Sequence, residues 1–598
     1  MEAKARSLTF LGDEHSVKIP FFQREYVWGK NNWEDLLDDL FNFDKTHFLG
    51  SLILKQQKAK SGEPKEVLVI DGQQRLTTLT VLLKAIYDQF DDELKENCKD
   101  ALTKYMFFKK HSTDRNYEIK INHSKLDSQY FIKVIGNISD KIITKIPDSE
   151  YNEINEKSNK ILQCYKYFYD ALLNKSTEQK KELFNKLLDS ENKIIVLIDL
   201  TDEDNEQAIF DTINSAGVRL SGTDIVKNAL FQKAIELMGT DETVNLYNTY
   251  WNSVFGDDDD FVAFWNTQKS TGRLMRDNSE ILLHSIAIIE GFYDPEKHTL
   301  EKLADLYKQK IIGLDNNKIT NFIQEISEYA KIYFEKFSEY ENTKQYSYDN
   351  VLVRLLHILD NLELSTFHPL ILFWVKKYRD TSELNTRLKV LESYVIKQML
   401  SHGETKSYNK VCKDFIANEV ELFNKTAAIT DAEVLAGLEQ IANKNATIIL
   451  FWIELYRRFN DVKQSVKNLA YAYTLEHIMP QKWEEYWSVV PYYDENGNAV
   501  TAPESGKEKR YKKIYALGNM TLLNHRLNTS LRNYPFAKKI EGDTTGRKRK
   551  GMKDYSDLSV TKDILTDFDN GDKNWDERNI NTRTKLLGNE ILNIWKIV

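Results

Sequence analysis

The chain has 598 residues, with 82 Lys and Arg against 91 Asp and Glu, three cysteines and nine prolines. That length is several times the ~100–200 residues of one domain, and 41% hydrophobic with 12% aromatic residues excludes wholesale disorder. Cys98, Cys164 and Cys412 are too few for a disulfide framework and form no C-x-x-C zinc pair, which points to a reducing, cytoplasmic setting. The first residues lack the apolar core of a signal peptide. The longest apolar runs, Ile448–Ile453 and Leu370–Val375, fall far short of the ~20 residues that span a bilayer, so no membrane role is expected. The net charge of −9, taken alone, argues mildly against a nucleic-acid partner.

Residues 1–235 mix strand and helix signals. Lys18–Val27 reads as extended, and Trp33, Leu36, Leu37, Leu40 and Phe41 follow at helical spacing. Phe48–Leu54 and Glu66–Ile70 look like two strands joined by the polar loop Lys58–Lys65. Leu76, Leu79, Leu83 and Ile86 mark a helix, Ile194–Leu200 a further strand, and helices are expected from about Asp204 and Thr223.

Residues 236–465 are almost all helical signal, with Val351, Leu352, Leu355, Leu356 and Leu359 on one apolar face. The acidic run Asp257–Asp260 reads as a solvated loop. Residues 466–598 carry a turn at Asn496-Gly497, a flexible Gly542–Gly551 and a closing helix bearing Trp575 and Trp595. This last segment also breaks the charge average. Between Lys507 and Lys553 there are 14 Lys and Arg against 3 acids, a field of +11 that leaves −20 for the remainder. Such a field is an electrostatic address for a polyanion, although Arg547–Lys550 alone would be an ordinary solvated loop.

Two constellations carry chemistry. In the first, the strand Glu66–Ile70 meets Asp71 and Gly72, and Gln73, Gln74 and Arg75 open a helix. A helix start favours an anion, Gly72 allows close backbone approach and Arg75 can fork onto phosphate. Asp71 could hold Mg²⁺ or orient water. Equally, Asp71 could merely cap the helix and Arg75 pair with an acid, and the residues alone leave both open. Gln23 and Arg24, set among aromatics, offer a second polar patch, for which an edge strand with core aromatics is the simpler reading. Asn214–Lys227 offers a third: Ser221 or Thr223 would cap a helix, Asp224 and Lys227 would pair, and Asn214 and Arg219 are weaker contact candidates.

In the second constellation Glu476 and His477 stand side by side. Gly518, Asn519 and Met520–Leu523 lie far downstream, followed by Asn528, Asn533 and Lys538. Phosphodiester hydrolysis needs a general base, which a neutral imidazole supplies, and a hard cation on oxygen ligands. His477, Glu476 and Asn528 match those needs, with Arg526, Arg532, Lys538 and Lys539 as candidate DNA-backbone contacts and His525 as an extra ligand candidate. A strand ending at His477, paired with 520–523 and followed by a helix from about His525, would bring Asn528 over the hairpin. Leu527 and Leu531 would then face the core and Pro535 follow the helix end.

Glu476–Gln481, Gly518–Leu523 and Asn528 resemble the HNH (ββα-metal) nucleases, in particular the nuclease half of GmrSD-type restriction proteins. On that resemblance His477 is the general base, Glu476 takes a metal-ligand place more often held by Asp, Asn528 takes the second, and Asn519 steadies the histidine loop. Ile19–Arg24, Phe48–Ser51, Val69–Leu79 and Asn214–Lys227 resemble the other half of the same proteins. The resemblance implies an α+β, mostly helical chain. Its parts would be a ParB/sulfiredoxin-like nucleotide-binding domain at 1–235, a helical linker at 236–465 and an HNH domain at 466–598. It assigns Gln23, Arg24, Asp71, Gly72, Gln73, Gln74 and Arg75 to the nucleotide site. The implied cofactors are Mg²⁺ or Mn²⁺ and an NTP, GTP or ATP, and the implied partner is modified phage DNA, with a homodimer as an allowed assembly. The implied activity is a modification-dependent, type IV-like endonuclease of antiphage defence. A nucleotide-switched DNA-binding scaffold with a degenerate nuclease, motivated by the longer Glu476 side chain, and an abortive-infection nuclease are the alternatives.

Overall fold

A computed structural model describes residues 2–596 except 15, 24, 43–48, 57–65, 112, 115, 140–141, 201–220, 257–258, 272–273, 380, 404–406, 544–548 and 572. The chain is α+β and mostly helical, and its contacts divide it into two compact units, Met1–Tyr247 and Asn248–Val598.

The first unit is built on a six-stranded mixed sheet of β1 (Glu2–Arg6), β2 (Ser16–Lys18), β3 (Ser51–Gln56), β4 (Glu66–Asp71), β5 (Ile121–Asn122) and β6 (Ile195–Leu200), in the order β1-β6-β3-β4-β2-β5. β3 and β4 pair antiparallel with a register shift between Ile53 and Leu54, whereas β6–β3, β4–β2 and β2–β5 are parallel. Strand β2 stops at Lys18 because Pro20 has no N–H to continue a ladder, so the extended piece expected to Val27 becomes a turn and an irregular segment. Helix α1 (Gln73–Asp88) buries every residue from Leu76 onward. Such an all-round buried helix must neutralise its polar groups. Lys84 accordingly places Nζ 2.6 and 2.5 Å from the two Asp88 carboxylate oxygens, and Tyr165 donates to the same carboxylate at 2.7 Å. The helix of Trp33 and Leu40 runs from Lys30 to Phe41 as its spacing predicts. Helix α2 (Gly222–Met238) is capped by Ser221, whose Oγ accepts the Asp224 N–H, and Asp224 and Lys227 pair at 3.0 Å. Phe48, the loop Lys58–Lys65, the helix expected from Asp204, and Arg24, Asn214 and Arg219 lie outside the described residues.

The second unit is helical except for short hairpins, one of them (Gln268–Thr271 with Leu274–Asp277) inside the stretch expected to be all helix. Val351, Leu355, Leu356 and Leu359 are buried on the helix Val351–Asn361, as the pattern requires, while Leu352 stays half-exposed. Helix α3 (Asn443–Asn460) packs against a second hairpin, β7 (Tyr473–His477) with β8 (Met520–Asn524). Among the described residues no helix is long and apolar enough to cross a membrane.

Candidate functional site

Strands β7 and β8 pair antiparallel, with Tyr473 opposite Asn524 and His477 opposite Met520. Asn524 then caps helix α4 (His525–Leu531), its Oδ1 accepting the Leu527 N–H at 2.9 Å. Leu527 and Leu531 are buried, and Pro535 caps the next helix, α5 (Phe536–Glu541). Asn528 reaches back over the hairpin: its Nδ2 donates to Thr474 Oγ1 at 2.8 Å and to the Leu475 carbonyl at 2.9 Å. An amide whose nitrogen is so fixed has its oxygen orientation fixed as well.

His477 ends β7. Its Nε2 is buried without a hydrogen-bond partner, and its ring lies edge-on to Tyr515 at 6.0 Å. Burial, with the nearby Lys539 charge second, holds the imidazole down to about 4, so it is neutral near pH 7. The adjacent Glu476 side chain turns inward. Lys539 Nζ, fully buried, lies 2.5 Å from Glu476 Oε1 and donates to the His477 carbonyl at 2.9 Å. Burial pushes the Glu476 carboxyl up and the Lys539 ammonium down, while their mutual attraction opposes both shifts.

Asn519 is fully buried and bonds on every side. Its Nδ2 donates to the carbonyls of Met479 and Ile514 at 2.9 and 3.0 Å, and its Oδ1 accepts the Met479 N–H at 2.9 Å and Trp575 Nε1 at 3.2 Å. It fixes the turn that follows His477. Arg583, on helix α6 (Glu577–Ile594), clamps the start of β8 through the Gly518 and Met520 carbonyls at 2.7 and 2.6 Å.

Part of the +11 field is paired within the fold, mostly with acids from elsewhere in the chain. Arg510 is fully buried and meets Glu577 at 2.6 Å, Lys513 pairs with Glu439 and Lys553 with Asp569. Lys538 pairs with Asp543 at 2.6 Å, and Lys539 is withdrawn to Glu476. Arg526 and Arg532 are exposed. Arg526, with His525, Asn524, Arg549, Lys550 and Tyr555, lines a groove of about 730 Å³ between the start of α4 and the short strand Arg549–Lys550. The groove begins at the Asn524 end of the hairpin. His477 stands four residue pairs away, or ~14 Å at ~3.4 Å per residue.

In the first unit, Gly72 is the N-cap of α1 with φ of +91°, and a Cβ there would come within 2.3 Å of Leu52 Cδ2 and 2.8 Å of the Ser51 carbonyl oxygen. The cap position therefore belongs to Gly72 and not to Asp71. Arg75 Nη1 donates to the Ser51 carbonyl at 2.8 Å, a main-chain partner where an acid was one expectation. Gln74 is buried and holds the approaching segment by two hydrogen bonds, accepting the Val27 N–H at 2.9 Å and donating to the Glu25 carbonyl at 3.0 Å. Gln23 donates to the Val69 carbonyl at 2.9 Å. Gln23, Gln74 and Arg75 thus tie two segments, residues 23–27 and the start of β3, to the β4–α1 junction.

Family comparison matches both regions. Residues 8–231 match the GmrSD restriction endonuclease N-terminal domain, and residues 428–590 match the GmrSD restriction endonuclease C-terminal domain. The chain belongs to the GmrSD restriction endonuclease family. The uncharacterized protein MJ0686 of Methanocaldococcus jannaschii is 22% identical over 359 residues, which cover 55% of this chain and 57% of that relative.

Each GmrSD match contains one of the two constellations. The structure brings Asn519 and Asn528 onto the hairpin that carries His477, and it joins Gln23, Gly72, Gln74 and Arg75 around one strand–helix junction. Asp71 ends β4 opposite Ile53, and Gln73 opens α1. Lys539 departs from its expected place at a DNA-facing surface, because it is fully buried behind Glu476. Arg549 and Lys550, a solvated run by sequence, line the groove beside α4. Gly542 and Gly551, which bracket them and sit too close to neighbouring backbone for any Cβ, were the available sign of a tight hairpin.

Proposed function

We propose that this GmrSD-family protein is a modification-dependent, type IV-like DNA endonuclease of antiphage defence. In this reading the C-terminal segment has the ββα-metal (HNH) fold and the N-terminal unit is a ParB/sulfiredoxin-like module that binds and hydrolyses GTP or ATP. The observation that carries it is the buried, unpartnered Nε2 of His477 at the end of an Asn528-braced hairpin. An unsatisfied buried nitrogen costs stability unless a ligand or water completes it.

A neutral imidazole at that position takes a proton from water as the water oxygen bonds to phosphorus and the opposite P–O bond breaks. Asn519 and Asn528 keep the strand end and the helix in register with the base. Arg526, Arg549 and Lys550 hold a neighbouring stretch of the phosphate backbone, since their groove begins ~14 Å along the hairpin from the base. Glu476 and the amide oxygen of Asn528 are oxygen donors that fit Mg²⁺ or Mn²⁺. When bound, such an ion supplies charge stabilisation of the leaving oxygen. Among the described residues no three His, Cys, Asp or Glu side chains gather as ligands, so water and phosphate would complete its shell.

The test is cleavage of glucosylated, hydroxymethylated, phosphorothioated and plain DNA in parallel, with Mg²⁺ or Mn²⁺ and each NTP. Cleavage of a modified substrate that His477→Ala abolishes supports the proposal. No cleavage of any substrate, or identical behaviour of His477→Ala, overturns it. One observation favours the second reading, a nucleotide-switched DNA-binding scaffold: the Glu476 carboxylate already has a cationic partner. Mn²⁺ binding that Glu476→Ala leaves unchanged would support that scaffold.

A further inference from the structure

Lys539 takes no part in the reaction outlined above, yet its ammonium touches both Glu476 and His477. It lies on α5 between Phe536, packed on Trp575 and Phe568, and the fully buried Ile540. The core therefore fixes its backbone, and its ammonium points at Glu476 and the His477 carbonyl rather than at solvent. No phosphate of a docked nucleic acid reaches a fully buried Nζ.

We infer that Lys539 is the resident counter-cation of Glu476, a positioning residue that sets how strongly the site takes a divalent metal. The inference rests on the reading of Glu476 as a metal ligand. One carboxylate and one ammonium sum to zero, so a dication approaching Glu476 meets a like charge 2.5 Å beyond the oxygen it needs. Attraction returns when a phosphodiester adds its own negative charge. Metal and DNA then load together, each raising the affinity for the other by the same factor. The neutral pair keeps the hydrolytic centre unloaded on protein free of DNA.

The experiment is Mn²⁺ binding by electron paramagnetic resonance on the full chain, with and without a DNA oligonucleotide, every protein carrying His477→Ala so that the DNA is not consumed and wild type meaning unchanged at 476 and 539. Wild type is expected to bind Mn²⁺ weakly alone and at least about tenfold more tightly with the oligonucleotide, each tenfold step being 1.4 kcal/mol. Lys539→Met is expected to bind Mn²⁺ tightly without the oligonucleotide, and Lys539→Arg to behave as wild type. Because Lys539→Met leaves a buried carboxylate unpaired, melting provides a second readout: Mn²⁺ should raise its melting temperature more than that of wild type. Equal or weaker Mn²⁺ binding by Lys539→Met, or an equal melting shift, overturns the inference. Glu476→Ala separates the two ideas. If it binds Mn²⁺ as wild type does, the metal-ligand reading itself fails; if it loses Mn²⁺ while Lys539→Met gains nothing, only the counter-cation inference fails.

Discussion

Asn519 and Met479 close a two-bond ring: the Asn519 amide donates to the Met479 carbonyl and accepts the Met479 N–H, both at 2.9 Å. The ring holds the turn after His477 to the start of β8, 40 residues away in sequence. Asn519→Asp replaces a buried donor by an acceptor facing two carbonyls. It is expected to cost about 2–4 kcal/mol, from one unsatisfied buried group or more plus a buried charge. Urea unfolding measures that loss. Cleavage should fall even in the fraction that stays folded, and retention of full wild-type stability would refute the clamp.

The imidazole of His477, held to about 4 by burial, gives a distinctive pH dependence. A base of ordinary pKa ~6.5 would be only a few per cent neutral at pH 5 and would lose roughly thirtyfold in rate. His477 is expected to stay neutral there, so kcat/KM should change less than about twofold between pH 7 and 5 from this group. The stability term runs the other way. The folded state binds fewer protons than the unfolded one between about 4 and ~6.5, so stability present above that window is lost as pH falls through it. His123, His284, His357 and His368, all pushed to about 3 by burial, add to the same acid lability. Circular dichroism at each pH separates unfolding from base protonation. A rate that halves near pH 6.5 while the fold is intact would show that the imidazole is not buried as described.

The hairpin and its helix were legible because their signals are local: a short buried run through β8, an Asn cap, and Leu527 and Leu531 four apart on α4. Charge was not legible by summation, because pairing partners are set by the fold. Arg510 finds Glu577 and Lys513 finds Glu439, each more than sixty residues away. Spacing still carried a hint. Lys539 stands three residues after Phe536 and next to Ile540, on the face where α5 is buried. Arg510 stands four before Ile514, in the same relation on the helix Pro503–Ile514. A cation at a core position of a helix is a buried partner before it is a surface charge. The role of Arg583 left no local sign, since the carbonyls it binds lie 63 and 65 residues away.

Gly50 and Arg75 interlock at the N-terminal junction. Gly50 has φ of +119°, and a Cβ there would lie 2.4 Å from Arg75 Nε. Gly50→Ala therefore both strains the backbone, by on the order of 1–3 kcal/mol, and displaces the guanidinium from the Ser51 carbonyl. Nucleotide binding by the purified protein is expected to fall in Gly50→Ala and Arg75→Ala alike. The double variant should be no worse than the more impaired single one, as for two changes acting through one group. Additive losses would place the glycine's effect elsewhere, and unchanged nucleotide binding in both would remove Arg75 from the site.

The groove beside α4 gives a prediction in salt. Arg526 and Lys550 are exposed cations on its walls, whereas Lys538 is matched by Asp543. Removing one cation that neutralises a phosphate should lower the slope of log K against log salt by about one. Arg526→Ala with Lys550→Ala is therefore expected to lower the slope by about two, weakening modified and plain DNA alike, while Lys538→Ala changes it by less than about half a unit. Fluorescence anisotropy on the His477→Ala background, which cannot consume the probe, measures all three slopes. An unchanged slope in the double variant would mean that DNA does not lie along this face, and a larger fall in Lys538→Ala would move the DNA-binding face to α5.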